Sequence, residues 1–263
     1  MKYASQALLL LVLCSPVWAQ RENCDEEGNL LATPVLKESA ELSSTLSKKV
    51  YKDRQTANLF EAIAEQNLKK VNRALKHGAN PNAIKEKAAF ISVSSFAVRY
   101  GTPEILRAIL EAGGDPNQID DNIQSTTPLM QAAKWDRPDF IDVLLDPKFK
   151  TDINKPADGG RTPLHMAATR QNYKVIERLV QNSQIDLNAE SVYVRGKGDT
   201  AFSALCARGQ VEGMKAMLSH PQTTKPLTLA HIQAAESSMS KEMSEEGKKL
   251  IQDYKDRFYP SGR

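Results

Sequence analysis

The chain has 263 residues, 41% of them hydrophobic, which is enough apolar surface for a packed core and too much for a disordered polypeptide. A quarter of the residues are charged, yet the 35 Lys and Arg exceed the 32 Asp and Glu by only three, for a formal net charge of +3. That balance excludes the strong positive field by which a protein holds nucleic acid, so no nucleic-acid partner is expected.

The first twenty residues follow their own pattern: Lys2, an apolar run from Ala7 to Leu13, Pro16, and Val17-Trp18-Ala19 with small or short residues at the recognition positions. With Gln20-Arg21-Glu22-Asn23 turning abruptly polar, residues 1–19 read as a cleaved secretory signal and the destination as the periplasm. The apolar run is far shorter than the roughly 20 residues a helix needs to cross a bilayer, and nothing downstream comes near, so no membrane span is expected. Leu11-Val12-Leu13-Cys14 looks like a lipoprotein attachment motif, but Leu13 stands where Gly, Ala or Ser is wanted, which places anchoring at Cys14 second to plain cleavage. Cleavage after Ala19 leaves Cys24 and Cys206, which define one disulfide in an oxidising compartment. Cys206 also falls in an apolar helical stretch, where a buried small hydrophobe is the competing reading.

Residues 20–53 read as a loose lead-in from Glu22 to Thr33 and a capping helix from Glu38 to Lys52. Similar units follow. The first, about 54–86, has a second helix from Val71 to Leu75 and closes on His77-Gly78-Ala79-Asn80-Pro81-Asn82; the next, 89–121, begins on Ser92-Val93 and closes on Ala112-Gly113-Gly114-Asp115-Pro116-Asn117. The unit 124–157 opens its first helix with Thr127-Pro128-Leu129-Met130-Gln131-Ala132-Ala133, and the unit 159–192, thirty-five residues on, with Thr162-Pro163-Leu164-His165-Met166-Ala167-Ala168. A degenerate copy, Thr200-Ala201-Phe202-Ser203-Ala204-Leu205-Cys206-Ala207, opens the unit 197–226. The second helices, Ile105 to Leu110, Phe140 to Leu145, Val175 to Val180 and Val211 to Leu218, place apolar residues at three-and-four spacing. Residues 227–263 read as a C-terminal cap, with helices from Leu227 to Ala235 and Glu245 to Phe258.

The motif has a physical basis. Thr at a helix start caps free backbone N–H groups, and Pro at the first helical position loses nothing by lacking its own. The Ala pair lets helices approach closely, and Gly closes a unit where the chain turns with positive φ. Thr162-Pro163-Leu164-His165-Met166-Ala167 resembles the signature of the ankyrin-repeat family, strongly in the third and fourth units and weakly in the first, second and fifth. The resemblance implies an all-α solenoid of about five helix-turn-helix units with helical caps, in which no unit buries its apolar side alone. Asp146-Pro147-Lys148-Phe149-Lys150 and Asn182-Ser183-Gln184 replace the Gly turns, which puts those loops in doubt but not the helices.

An active site needs a convergent acid, base, nucleophile or metal. His165 is the signature residue, expected to bond between turns; His77 ends a helix; His220 and His231 lack Cys, His or carboxylate partners at ligand spacing. No enzyme activity, cofactor or metal is expected, and a curved repeat surface suits a protein better than a small-molecule substrate.

In ankyrin repeats the first helix and the hairpin before it line the concave face. The position two after the paired small residues gives a column, Glu65, Tyr100, Trp135, Arg170 and Arg208, in which Tyr, Trp and Arg are the types most enriched at interface hot spots. Arg99 and Lys134 stand one place earlier, and Phe96 and Met166 further back in the same helices, so all are candidates for protein binding. The alternative is that Tyr100 and Trp135 tuck between helices and the cations are plain solvated surface. Val192-Tyr193-Val194-Arg195 is either a second binding stretch, through Tyr193 and Arg195, or an internally paired hairpin strand.

The organisation is similar to exported bacterial ankyrin proteins, a group that includes immunity proteins neutralising phospholipase effectors of type VI secretion. This implies a non-enzymatic periplasmic module that binds and neutralises a toxin, its partner a folded protein with an acidic or amphipathic patch. The alternative is a periplasmic scaffold or assembly helper for a resident enzyme such as a catalase, as ankyrin proteins associated with catalase function suggest.

Overall fold

The computed structural model describes residues 54–85, 91–121, 125–192, 199–218, 226–239 and 243–260. The signal segment, the lead-in and N-terminal capping helix, Cys14, Cys24, Tyr193, Arg195 and His220 lie outside the described residues.

Among the described residues twelve α-helices alternate with loops, joined by one ribbon of two-residue strands. The first pair is α1 (Arg54–Ala64) and α2 (Leu68–Lys76). A hairpin of β1 (Ile84–Lys85) and β2 (Ile91–Ser92), antiparallel with Ile84 opposite Ser92, leads into α3 (Val93–Tyr100) and α4 (Pro103–Glu111). Then come α5 (Pro128–Lys134) with α6 (Pro138–Leu144), α7 (Pro163–Arg170) with α8 (Tyr173–Val180), α9 (Ala201–Ala207) with α10 (Val211–Leu218), and α11 (Leu229–Ser237) followed by α12 (Glu245–Phe258).

The expected caps form at the helix starts. Ser92, standing in for Thr, accepts from the Ser95 N–H at 3.1 Å, and Thr102, Thr127, Thr200 and Thr228 accept from the third residue of their helices. Pro103, Pro128, Pro138 and Pro163 sit in the first turns, where their missing N–H is harmless. First helices contact first helices, α1 to α3 to α5 to α7 to α9 to α11, and second helices contact second helices from α2 through α12. The result is two layers of side-by-side helices. Ala132, Ala133, Ala167 and Ala168 are wholly buried on first helices that contact one another, and Phe60, Phe140 and Phe202 are the largest wholly buried side chains of the core.

The two loops without Gly turn differently. After α6, Asp146 caps a short 3-10 turn, Pro147–Phe149, and Lys150 takes the left-handed conformation at φ 54° that Gly78 and Gly113 supply after α2 and α4. After α8 the Asn182 carboxamide oxygen accepts from the Gln184 N–H at 2.9 Å.

An asparagine ladder ties the units together. Asn82 donates to Gly113 O (2.9 Å) and accepts from Asp115 N–H (2.6 Å); Asn117 does the same to Lys150 O and Asp152 N–H, and Asn154 to Gln184 O and Asp186 N–H. Asn188 carries the ladder to Pro226 O and Thr228 N–H, both at 2.8 Å. The last rung reaches the segment expected as a cap. There Thr228 and His231 pair their side chains at 2.8 Å, as Thr162 and His165 do at 2.9 Å, so α11 and α12 continue the stack as a sixth unit. Their position had no Pro to mark it in the sequence.

Candidate protein-binding surface

Each of α3, α5, α7 and α9, seven or eight residues long, makes about two turns, flanked by neighbours on two sides and by the second layer on a third. Only its last turn emerges. In α7 every residue from Pro163 to Ala168 is buried, Thr169 is half-buried and Arg170 is exposed. The same rule corrects two expectations. Phe96 is 5% exposed and packs edge-on against Phe60, with ring centres 5.1 Å apart, and Met166 is 4% exposed. Both are core residues, because their positions in the middle of first helices face neighbouring units.

The remaining column residues come together at the helix ends. Tyr100 ends α3, half-buried against Phe96 at 4.6 Å, and Trp135 caps the C-terminus of α5, half-buried, with its indole N–H donating to Gln131 Oε1 at 3.1 Å. Both rings are half-buried, so neither is wholly tucked between helices. Between them lies Arg99, whose guanidinium carbon is 5.2 Å from the Tyr100 ring centre and 5.0 Å from that of Trp135. Such stacking is worth about 0.5–1 kcal/mol at exposed sites and holds the cation in one place. Lys134 lies 5.6 Å from the same indole. Arg170 makes no hydrogen bond or ion pair among the described residues.

The backbone beneath this strip is pinned between units. Gln66 donates to Tyr100 O, Arg137 to Gly101 O, Asn172 to Ala133 O and Arg208 to Thr169 O, each satisfying a carbonyl at the end of a neighbouring first helix. Arg208 is therefore exposed but structurally engaged, a role its sequence position did not reveal. Arg137 also stacks on Phe140 at 4.4 Å, and burial pulls its guanidinium below the usual arginine range. Burial raises the Asp136 carboxyl, with Lys174 opposing. Glu65, at the N-terminal end of the column, is neutralised by Lys70 at 2.7 Å. The strip thus runs from aromatic and stacked cation to exposed cation.

The hairpins carry a second feature. Ser191 bridges Asp199, and the Val192 N–H donates to Gly159 O at 2.9 Å, so Val192 is tied to the preceding hairpin; the rest of the stretch lies outside the described residues. Val192 is 54% exposed and Ile119, on an earlier connection, 42% exposed; sequence reading passed over Ile119.

The buried polar groups are structural. His165 Nδ1 accepts from the Thr162 N–H at 3.2 Å and its Nε2 lies 3.2 Å from Asp199 O, an arrangement that requires the neutral ring; burial pulls its pKa down, opposed by the Asp199 carbonyl. Asp120, wholly buried and unremarked in the sequence, accepts from Ser92 N–H, the Thr126 hydroxyl and Gln131, joining the second unit to the third. Burial raises its pKa, and hydrogen bonds from Ser92, Ser95 and Gln131 oppose the rise. Cys206 is buried within α9, its thiol pushed up to about 12 by burial. Among the described residues no cluster of His, Cys, Asp or Glu could hold a metal ion, and no helix is long and apolar enough to cross a membrane. Two shallow recesses lie at the ends of the stack, one against α1 and α2 and one between α11 and α12, neither lined by Tyr100, Trp135 or Arg170.

Residues 94–191 match a family model for ankyrin repeats in three copies. The chain is 28% identical over 144 residues, 55% of its length, to E3 ubiquitin-protein ligase KEG of Arabidopsis thaliana, and 28% identical over 117 residues, 44% of its length, to glycerophosphocholine phosphodiesterase GDE1 of Candida albicans. These matches span only 9% and 10% of the two relatives, so neither relative's activity comes with them. Residues 94–191 thus match ankyrin repeats, and the helix pairs on either side stack in the same manner, so the described residues form an all-α solenoid of the ankyrin-repeat type, a fold that serves protein–protein interaction.

Proposed function

We propose that the chain is a non-enzymatic binding protein of the periplasm that seizes a folded partner with an acidic patch, and that the partner is an antibacterial toxin such as a phospholipase effector. The observation that carries the binding surface is Arg99 held between Tyr100 and Trp135, continued by Lys134 and the exposed Arg170. Aromatic and arginine side chains on pinned backbone lose little entropy on binding, which is what makes such residues hot spots. The periplasmic setting rests on the signal-like residues 1–19, and the toxin on resemblance to immunity proteins.

Deleting the coding sequence in its own producer tests the biological part. Loss of membrane integrity on contact with sister cells, reversed by the wild-type chain but not by Tyr100→Ala/Trp135→Ala/Arg170→Ala, supports immunity. Unchanged viability together with loss of a resident enzyme's activity transfers the chain to the scaffold role, and rescue by the triple variant removes the strip from the binding surface.

A further inference from the structure

The second-layer helices differ in charge. Those from α4 onward all carry carboxylates and pair across to neighbouring elements: Arg107 with Asp146, Lys148 with Glu111, Arg178 with Asp142, Lys215 with Glu246. The first of the layer, α2, reads LKKVNRALK, with four cations and no carboxylate. Lys70 is taken by Glu65. Lys69, Arg73 and Lys76 are exposed and make no ion pair among the described residues. They stand at i, i+4 and i+7, a single line down one helix face about 10 Å long at 1.5 Å per residue. Leu68, 36% exposed, lies at its head.

We propose that this stripe is a docking surface for an anionic phospholipid membrane, separate from the partner-binding strip at the ends of the first helices. Charge complementarity selects the class of partner, and three further features select a lipid surface. The three cations are in line on a convex helix rather than converging on a point, as a phosphorylated peptide requires of an arginine cluster. No aromatic ring lies among them on α2, as a track for single-stranded nucleic acid requires. Two of the three are lysines, whose compact charge suits a diffuse negative sheet, and the exposed Leu68 supplies an apolar contact at the interface. The whole chain carries only +3, so attraction to such a surface must be local.

The test is partitioning of the full-length chain onto vesicles of phosphatidylcholine with and without phosphatidylglycerol. Each cation near an anionic surface contributes roughly fivefold, so Lys69→Gln/Arg73→Gln/Lys76→Gln lowers partitioning onto phosphatidylglycerol vesicles on the order of a hundredfold at low salt. High salt erases the difference. The apolar residues 7–13 act alike in both proteins, and the Gln variant keeps good helix formers, so its thermal midpoint stays at the wild-type value. A control with equal charge loss, Lys148→Gln/Arg178→Gln/Lys215→Gln, retains wild-type partitioning. Equal partitioning of wild type and stripe variant overturns the proposal, as does an equal fall in the control or a wild type that prefers soluble polyglutamate over the vesicles.

Discussion

Asn154 offers the sharpest test of how the solenoid is held together. Its side chain makes two bonds across the boundary between the third and fourth units, to Gln184 O at 2.7 Å and from Asp186 N–H at 2.8 Å. Asn154→Ala removes both while leaving each unit's own core intact. At about 0.5–1.5 kcal/mol per hydrogen bond the coupling falls by about 2 kcal/mol, roughly thirtyfold in the equilibrium between joined and separated blocks. In urea, with a slope of about 2 kcal/mol per molar, the midpoint drops by about 1 M. Because a repeat array is stabilised by nearest-neighbour terms, the transition also broadens as the two halves begin to unfold apart. Asn82→Ala removes the equivalent bonds at the end of the stack, to Gly113 and Asp115, and frees one unit only, so it frays the transition's beginning without splitting it. A midpoint and slope unchanged by Asn154→Ala, in a protein of wild-type circular dichroism, refutes the ladder as a source of cohesion.

Other consequences follow from single residues. The neutral His165 ring has a folded pKa below its ordinary value of 6.5, so the unfolded chain binds the proton more readily; the stability His165 confers is complete above about pH 6.5 and is lost as pH falls below it, a slope that His165→Gln abolishes in urea midpoints measured between pH 5 and 8. Gly160→Ala is destabilising by at least about 1–2 kcal/mol, because its φ of 81° disfavours a Cβ that would also lie 2.5 Å from Glu190 O; Gly78→Ala, at φ 88° with open space around it, carries the conformational cost alone, and thermal melts of both separate the two effects. Phe140→Ala, at a core ring 1% exposed, costs about 3–5 kcal/mol by the same assay.

The parts legible in the sequence were those fixed by local backbone rules. Thr and Pro at helix starts and Gly at positive φ mark boundaries with few alternatives, which is why Thr127 and Thr162 sufficed to find the period. The last helix pair was expected, but as a cap, because Thr228-Leu229-Ala230-His231 keeps the Thr–His pair without the Pro. The ladder was half visible: Asn82 and Asn117 follow glycines, whereas Asn154 and Asn188 follow loops that turn by other means. Phe96 and Met166 were misplaced because three-residue spacing shows that side chains share a helix face, not how many neighbours surround that helix. How deeply Tyr100 and Trp135 are buried was undecidable from residue type, since it depends on their standing at the last turn. Asp120 and Arg208 take their roles from partners in other units, which no local pattern records.

The central claim is that the ends of the first helices form the surface that meets the partner. A photo-crosslinking residue placed at Arg170, and separately at Glu177 on the exposed side of the second layer, tests it in the producing cells. The account predicts a single discrete adduct from the Arg170 position, lost when Trp135→Ala is combined with it, and none from Glu177. A discrete adduct from Glu177 with none from Arg170 would contradict it.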